Sequence, residues 1–460
     1  MHAEPGRIYG GRTVLVAGAG RSGAAAAEFL LRAGARVILS DLRGDEEMRR
    51  SLAPLAALAG DLVLELGGHR RASFAACDLV VLSPGVPASL PQLEASRARG
   101  IPIIAEVELA YRHLEGMIIG ITGSNGKTTT TTLACEILCA SGLHARAAGN
   151  IGVPLIRFVP ESRPGDIYVV ELSSFQLEFI DRLRPAVAAI LNLTPDHLDR
   201  HAGFAEYVEI KRRIFANQTA ADLAVLNADD RPTRALEAGI RAAIAFFSRK
   251  EEVARGAFLR AGRAVYRDAR GERELFAAAQ VLMKGDHNLE NALAACAVAV
   301  PAGAAPESAA RVVSTFRGVE HRLEWVADID GVSYFNDSKA TNVDAALRAL
   351  AAFPGNLLWI AGGRDKGGDF TLLEPLVRSK VKHLVLLGEA AGKMREALGR
   401  AAEITEARSL PEAVELCRRM AQPGDTVLLA PACASFDMFR NYEERGRVFK
   451  EAVRNLESKR

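Results

Sequence analysis

Short apolar runs ending in glycine, aspartate or a polar cluster recur along the chain. Their β-branched composition predicts buried strands of parallel sheets. Thr13–Ala17 (TVLVA), Arg36–Ser40 and Leu79–Leu82 form a first set, with an alanine-rich helical stretch after the first run. A second set holds the run around Ile118, Ile119 and Ile121, then Tyr168–Leu172 (YVVEL) and Val187–Leu193. A third set holds Val332–Asn336, Leu357–Ala361, His383–Leu387 and Thr426–Ala430, with helical segments between. Helices are predicted over Thr128–Leu138, over Phe204–Phe215, which carries Lys211, and from Gly285, with Asn288 and Asn291 in the first turn. Val253–Ala277 mixes arginines with small residues, lacks a helical period and reads as a β excursion. Alternating strands and helices predict an α/β protein. The breaks divide it into three domains, 1–114, 115–318 and 319–460.

Composition narrows the classes. A chain of 460 residues exceeds one ordinary core. Apolar residues at 49% and charged residues at 25% suit a globular protein. Lysine and arginine (58) nearly balance aspartate and glutamate (56), which gives no electrostatic case for nucleic acid or an anionic membrane. No apolar run approaches the roughly 20 residues needed to span a bilayer. MHAEPGRIYGG lacks the apolar core of a signal peptide, so a cytoplasmic location is expected. The six cysteines show no metal-ligand spacing and read as reduced thiols.

The chemistry sits at the ends of the predicted strands. Between Ile121 and the next helix lies Thr122-Gly-Ser-Asn-Gly-Lys-Thr128. A glycine-rich turn into a helix aims backbone N–H groups at one point, which is how phosphate is held. Gly123, Ser124, Asn125, Gly126 and Thr129 would line it, Lys127 would reach the β- and γ-phosphates, and the Thr128 hydroxyl would bind Mg²⁺. The strict spacing would need a glycine at 121, where Ile121 stands; glycines occupy 120 and 123. Glu171, in an otherwise apolar strand, needs a partner or a metal, and a Mg²⁺ ligand opposite Thr128 explains it better than a structural ion pair. Gly18-Ala-Gly-Arg-Ser-Gly23 with Asp41 beyond it is a full dinucleotide fingerprint, so NAD is one reading of the first domain. The same turn serves any nucleotide diphosphate. His197 and His201 have the spacing of half a zinc site, against which Pro195 and the strand-end position argue. Polar clusters at 337–342, 362–366 and 431–435 gather at one end of the last sheet, as a binding face would.

With these residues in view, the chain resembles the Mur ligases over almost its whole length. TGSNGKTT, ELSSFQLE (171–178), LNLTPDHLDRH (191–201) and HNLENALAA (287–295) are shared ligase features. HRLEW (321–325), NDSKATN (336–342) and PACASFDMFRNYEERG (431–446) are similar to the D-glutamate-adding branch. The resemblance implies an N-terminal Rossmann-like nucleotide-binding sheet, a central P-loop ATPase-like domain and a C-terminal Rossmann-like domain. It implies ATP-driven amide formation in peptidoglycan synthesis, through an acyl phosphate. By resemblance, Asn288, Asn291, Arg322, Asp337 and Lys339 face ATP. Arg21, Ser22, Asp41, Arg43 and Gly85 hold the uridine diphosphate of UDP-N-acetylmuramoyl-L-alanine, with Asn150 and His197 nearer its alanyl end. Thr341, Lys366, Ser435, Phe436 and Tyr442 match the D-glutamate pocket, with tyrosine at 442 where phenylalanine is often found. His197 helps bind a second Mg²⁺, and Lys211 matches a lysine carbamylated by CO₂. The resemblance further implies small-molecule partners only, a monomer, and closure of the third domain onto the second during catalysis.

Overall fold

The computed structural model describes residues 8–457 except 59, 197–199, 284 and 366. The chain forms two compact units, one ending at Phe316 and the other beginning at Arg317.

The first unit opens with a parallel sheet of β1 (Thr13–Ala17), β2 (Arg36–Asp41), β3 (Leu62–Leu66), β4 (Leu79–Leu82) and β5 (Ile103–Ala105), in the order β3-β2-β1-β4-β5. Strands β3 and β5 are additions to the predicted set. At the edge, β3 buries Glu65 against the Ser73 hydroxyl and exposes Leu64, which inverts the hydrophobic signal. The fingerprint turn closes between β1 and the helix Arg21–Arg32. Gly18 has φ +92°, and a Cβ on Gly23 would fall 1.7 Å from the Gly18 carbonyl oxygen, so only glycine allows this approach.

A second sheet of the same unit contains β6 (Met117–Thr122), β7 (Ala145–Gly149), β8 (Ile167–Glu171), β9 (Val187–Ile190), β10 (Leu223–Asn227) and β11 (Ala243–Ser248), all parallel. The predicted β excursion is a meander of β12 (Gly256–Arg260), β13 (Arg263–Asp268) and β14 (Gly271–Ala277) that extends it. The order is β14-β13-β12-β11-β10-β9-β6-β8-β7. Buried side chains from Val14 and Leu39 to Tyr168 and Leu226 make one continuous core across both sheets. The buried Glu108 carboxylate, on the helix Glu106–Tyr111, fastens the seam by accepting the N–H groups of Asp181, Arg182 and Leu183.

The second unit is built on β15 (Glu324–Ile329), β16 (Val332–Asn336), β17 (Leu357–Gly362), β18 (Val381–Leu387), β19 (Glu403–Glu406) and β20 (Thr426–Leu429), ordered β15-β16-β20-β17-β18-β19. Only β15 runs antiparallel, against β16. Separate apolar clusters cover the two faces, as a doubly wound sheet requires. Strands β15 and β19 escape the sequence pattern because both are edge strands that carry charged residues, Glu324 and Asp328 in β15 and Glu403 and Glu406 in β19. Among the described residues, no helix is long and apolar enough to cross a membrane.

Candidate active site

At the end of β6 the chain turns through Gly123 (φ +153°) and Gly126 (φ +81°) into the helix Lys127–Ala140. A Cβ on Gly126 would lie 2.3 Å from Asn291 Oδ1, so glycine lets the helix Asp286–Ala299 press Asn291 against the loop. Asn291 accepts from the Thr130 hydroxyl at 3.4 Å and donates to Asn288 Oδ1 at 3.3 Å. The Asn125 N–H donates to Asn192 Oδ1, and the Ser124 hydroxyl to the Thr194 carbonyl. Lys127 Nζ donates to the Gly123 and Ser124 carbonyls, both at 3.0 Å, so the ammonium lies over the loop. Thr129 is half-buried in the first helical turn.

Glu171 is the last residue of β8, one position nearer the strand's end than the sequence pattern suggests. Register places it beside Ile121 of β6 and Gly149 of β7. Glu171 is 2% exposed and each carboxylate oxygen has a partner: Oε2 accepts from the Thr128 hydroxyl at 2.7 Å, and Oε1 from the Asn150 amide at 2.8 Å. The predicted Thr128–Glu171 pair is therefore brought together across two strands, and Asn150 joins it. A carboxylate and a hydroxyl at the phosphate loop fit Mg²⁺, which takes oxygen ligands and is bound by one or two carboxylates plus substrate phosphates. No cluster of three His, Cys, Asp or Glu side chains suited to a metal occurs among the described residues.

Lys211 projects from the helix Phe204–Arg212 and is only 2% exposed. Nζ donates to the Thr122 hydroxyl at 3.2 Å and lies 4.7 Å from the centre of the Tyr207 ring, one helical turn back. Burial, reinforced by the Lys127 cation, pushes its pKa well below the ordinary lysine range, against the pull of Asp196 and Glu171. The Thr122 hydroxyl in turn donates to the Leu172 carbonyl, and the Tyr207 hydroxyl is 3.1 Å from Ser124 Oγ. Tyr207 and Thr122 were not singled out from the sequence, although Tyr207 and Lys211 stand four apart on one helix. His201 stacks on Phe175, its Nε2 3.1 Å from the Ser174 hydroxyl.

The carboxyl edge of the first sheet carries Arg21 and Ser22 of the fingerprint in the first turn of the helix Arg21–Arg32, with Gly85 on the loop beyond β4. Both Asp41 oxygens are taken by backbone: the Ala19 N–H donates to Oδ2 at 2.6 Å and the Arg43 N–H to Oδ1 at 2.8 Å. Asp41 thus ties the fingerprint turn to the loop after β2. Arg43 pairs with Asp45 on the surface. A Cβ on Gly20 or Gly85 would meet open space, which leaves room for a ligand to approach the backbone.

In the second unit β16, β20 and β17 are parallel neighbours, so the loops 337–342, 431–437 and 363–366 leave adjacent strands at one end. The Ala432 N–H donates to the Ala340 carbonyl, and Arg364 and Ala434 bridge the other two loops. Asp337 is buried, which raises its pKa to about 6 against the opposing influence of Arg322 and Lys339. Lys339 Nζ lies 6.0 Å from the Tyr442 ring centre. Ser435 is buried, its neighbour Phe436 is half exposed, and Thr341 is half-buried. The sequence reading missed Arg445, which is buried and donates to Ser338 Oγ, the Ser338 carbonyl and the Cys433 carbonyl, stapling two of these loops. His197 and Lys366 lie outside the described residues.

Three family models match the chain: the Mur ligase MurD-like N-terminal domain over residues 12–105, the Mur ligase middle domain over 121–299, and the Mur ligase glutamate ligase domain over 321–433. The UDP-N-acetylmuramoylalanine–D-glutamate ligase of Koribacter versatilis is 48% identical over 97% of this chain and 98% of its own length. The enzyme of that name from Acidobacterium capsulatum is 48% identical over 96% of each chain. Among solved structures, a pseudomurein peptide ligase type C from Methanothermus fervidus superposes with a TM-score of 0.54 at 20% identity, covering 97% of this chain and all of its own. UDP-N-acetylmuramate–alanine ligase from Thermotoga maritima gives a TM-score of 0.54 at 19% identity, covering 98% of this chain and 100% of its own. At such identities these two likenesses concern the fold.

Proposed function

This chain belongs to the Mur ligase family, and we propose that it joins D-glutamate to UDP-N-acetylmuramoyl-L-alanine in an ATP-dependent step of peptidoglycan precursor synthesis. The observation that carries the reading is the meeting of Lys127, the Thr128–Glu171 pair and buried Lys211 around one loop, in a chain similar end to end to D-glutamate ligases. In the proposed reaction, the alanyl carboxylate attacks the γ-phosphorus of ATP; the bond to the β-phosphate oxygen breaks and ADP leaves. The D-glutamate amine then attacks the acyl phosphate, loses its proton, and phosphate departs from the tetrahedral intermediate.

Phosphoryl transfer asks for positioning and charge neutralisation. Backbone N–H groups at the start of the loop helix, Gly126–Thr129, would cradle the phosphates, with Lys127 as their cation; Gly123, Ser124 and Asn125 shape the loop around them, and Asn288, Asn291, Arg322, Asp337 and Lys339 are assigned to ATP. Thr128 and Glu171 would hold Mg²⁺, which supplies neutralisation of the phosphate charge when bound. To hold the ion, Glu171 would give up the Thr128 hydroxyl and keep the Asn150 amide. Lys211 suits the carbamate role because a buried lysine with a depressed pKa presents the neutral amine that CO₂ requires. Its Nζ would form a bond to the carbon of CO₂ and shed a proton, and the resulting anion, together with His197, would hold a second ion. Thr341, Lys366, Ser435, Phe436 and Tyr442 are assigned to D-glutamate. Arg21, Ser22, Asp41, Arg43, Gly85, Asn150 and His197 are assigned to the UDP substrate.

Phosphate release from ATP that requires both UDP-N-acetylmuramoyl-L-alanine and D-glutamate tests this function; release that ignores either would defeat it. The fingerprint favours a second reading, NAD binding. It loses support because a phosphate loop and a second doubly wound unit have no use in hydride transfer, and the ligase family models match along the chain. Isothermal titration should show binding of the UDP substrate and none of NAD.

A further inference from the structure

The seam between the first two sheets carries a carboxyl group that the proposed reaction leaves unused. Glu106 follows β5 directly, at the ligand-binding end of the first sheet, and is 5% exposed. Its Oε1 accepts from Gln176 Nε2 at 2.8 Å, and Oε2 is buried with no hydrogen-bond partner among the described residues. Gln176, 1% exposed, spends its other atom on the turn beyond Glu171: Oε1 accepts from the Ser173 N–H at 2.9 Å and from the Ser173 hydroxyl at 3.0 Å. That turn borders the proposed centre on both sides. Leu172 accepts from Thr122, the partner of Lys211, and Ser174 meets the His201 ring. On the other side of Glu106, the Ala105 N–H donates to the Phe179 carbonyl. The two ends of the 173–179 segment are therefore pinned to the strand end that leads out of the first sheet.

We propose that Glu106 is a positioning residue of the ligase reaction. By accepting the Gln176 amide it fixes the 172–176 turn, and so holds Glu171 and the phosphate loop in register with the substrate seat on the first sheet. An amide can point either way; the Ser173 N–H calls for its oxygen, and an acceptor at 106 holds its NH₂ end on the opposite side, so the two together lock the orientation. Apolar burial alone would hold the two sheets together without setting that register. The role rests on the ligase reading.

The test compares Glu106→Leu, Gln176→Leu, the double variant and Glu106→Gln in the full chain. Below the melting temperature of every variant, Glu106→Leu and Gln176→Leu should each lower kcat about tenfold or more, the scale of a small misplacement of reacting groups. KM for ATP and for UDP-N-acetylmuramoyl-L-alanine should stay within about threefold. The double variant should be no worse than either single one, because the two side chains act as a unit. Glu106→Gln keeps an acceptor oxygen and should retain at least about half of the wild-type kcat, the rescue expected for a role in orientation. Unchanged kcat with a lowered melting temperature, or losses that multiply in the double variant, would overturn the positioning role. Wild-type protein that releases no phosphate with both substrates present would instead defeat the ligase reading itself, and the positioning role with it.

Discussion

Replacing Glu106 by glutamine should stabilise the first unit at alkaline pH and leave it nearly unchanged at pH 4. Burial raises the Glu106 carboxyl from its ordinary 4.5 to about 7; the Gln176 amide and the N–H groups of Glu106 and Val107 oppose that rise only in part. The folded protein thus binds this proton more tightly than the unfolded chain does. Stability from the neutral acid is fully present below about pH 4.5 and is lost as pH rises to about 7, above which the loss is constant. Each tenfold step in the proton equilibrium is worth about 1.4 kcal/mol, so ionising Glu106 costs the fold about 3 kcal/mol at pH 8. Glutamine keeps the shape and an acceptor for Gln176 without an ionisable proton. Calorimetry of both proteins between pH 4 and pH 8 reads the difference directly. The melting temperature of the variant should rise above wild type progressively from about pH 4.5 to 7 and then run parallel to it. Since 1 kcal/mol moves the melting point of a large domain by roughly 2–4 °C, the plateau should be several degrees high. A difference that does not change with pH would refute the neutral buried acid.

Three further outcomes are expected. Lys127→Ala should leave the melting temperature unchanged and remove roughly 2.7–4 kcal/mol of transition-state stabilisation, seen as a fall of about 10²–10³ in kcat; near-wild-type turnover would take the loop lysine out of the reaction. Lys211→Ala should be nearly inactive and partly restored by added acetate or another short carboxylate, and full activity of this variant in CO₂-depleted buffer would defeat the carbamate. Ser435→Ala, like Lys366→Ala, should raise KM for D-glutamate far more than KM for ATP, by the roughly 1.5–3 kcal/mol of a hydrogen bond to a charged group; equal effects on both would point away from a glutamate pocket.

The sequence by itself determined the parts whose geometry is local. Gly126-Lys-Thr128 after an apolar strand and Gly18–Gly23 after another specify strand–turn–helix units, because glycine there answers a positive φ or a backbone approach within a few residues. The central strands of the first and third sheets were legible for a similar reason, since a run buried on both faces must be apolar throughout, whereas β10 and β11 inside the second sheet were missed. Edge strands were not. In β3 the neighbours bury Glu65 and expose Leu64, against the pattern of the residues themselves. Only the tertiary structure decided which runs lie side by side, and so which side chains meet. The Thr130 hydroxyl reaches Asn291 across 161 positions, and Glu106 meets Gln176 across 70. Glu171 stands opposite Thr128 because β6 pairs with β8 in a register that places Ile121 beside it. Asp41 shows the limit from the other side. Its spacing from the fingerprint predicts a ligand contact, and the folded chain gives it a second task, since its two oxygens also accept the N–H groups of Ala19 and Arg43. Periodicity reports how deeply a residue is buried, and a charged or polar group takes its role from the partner that the fold brings to it.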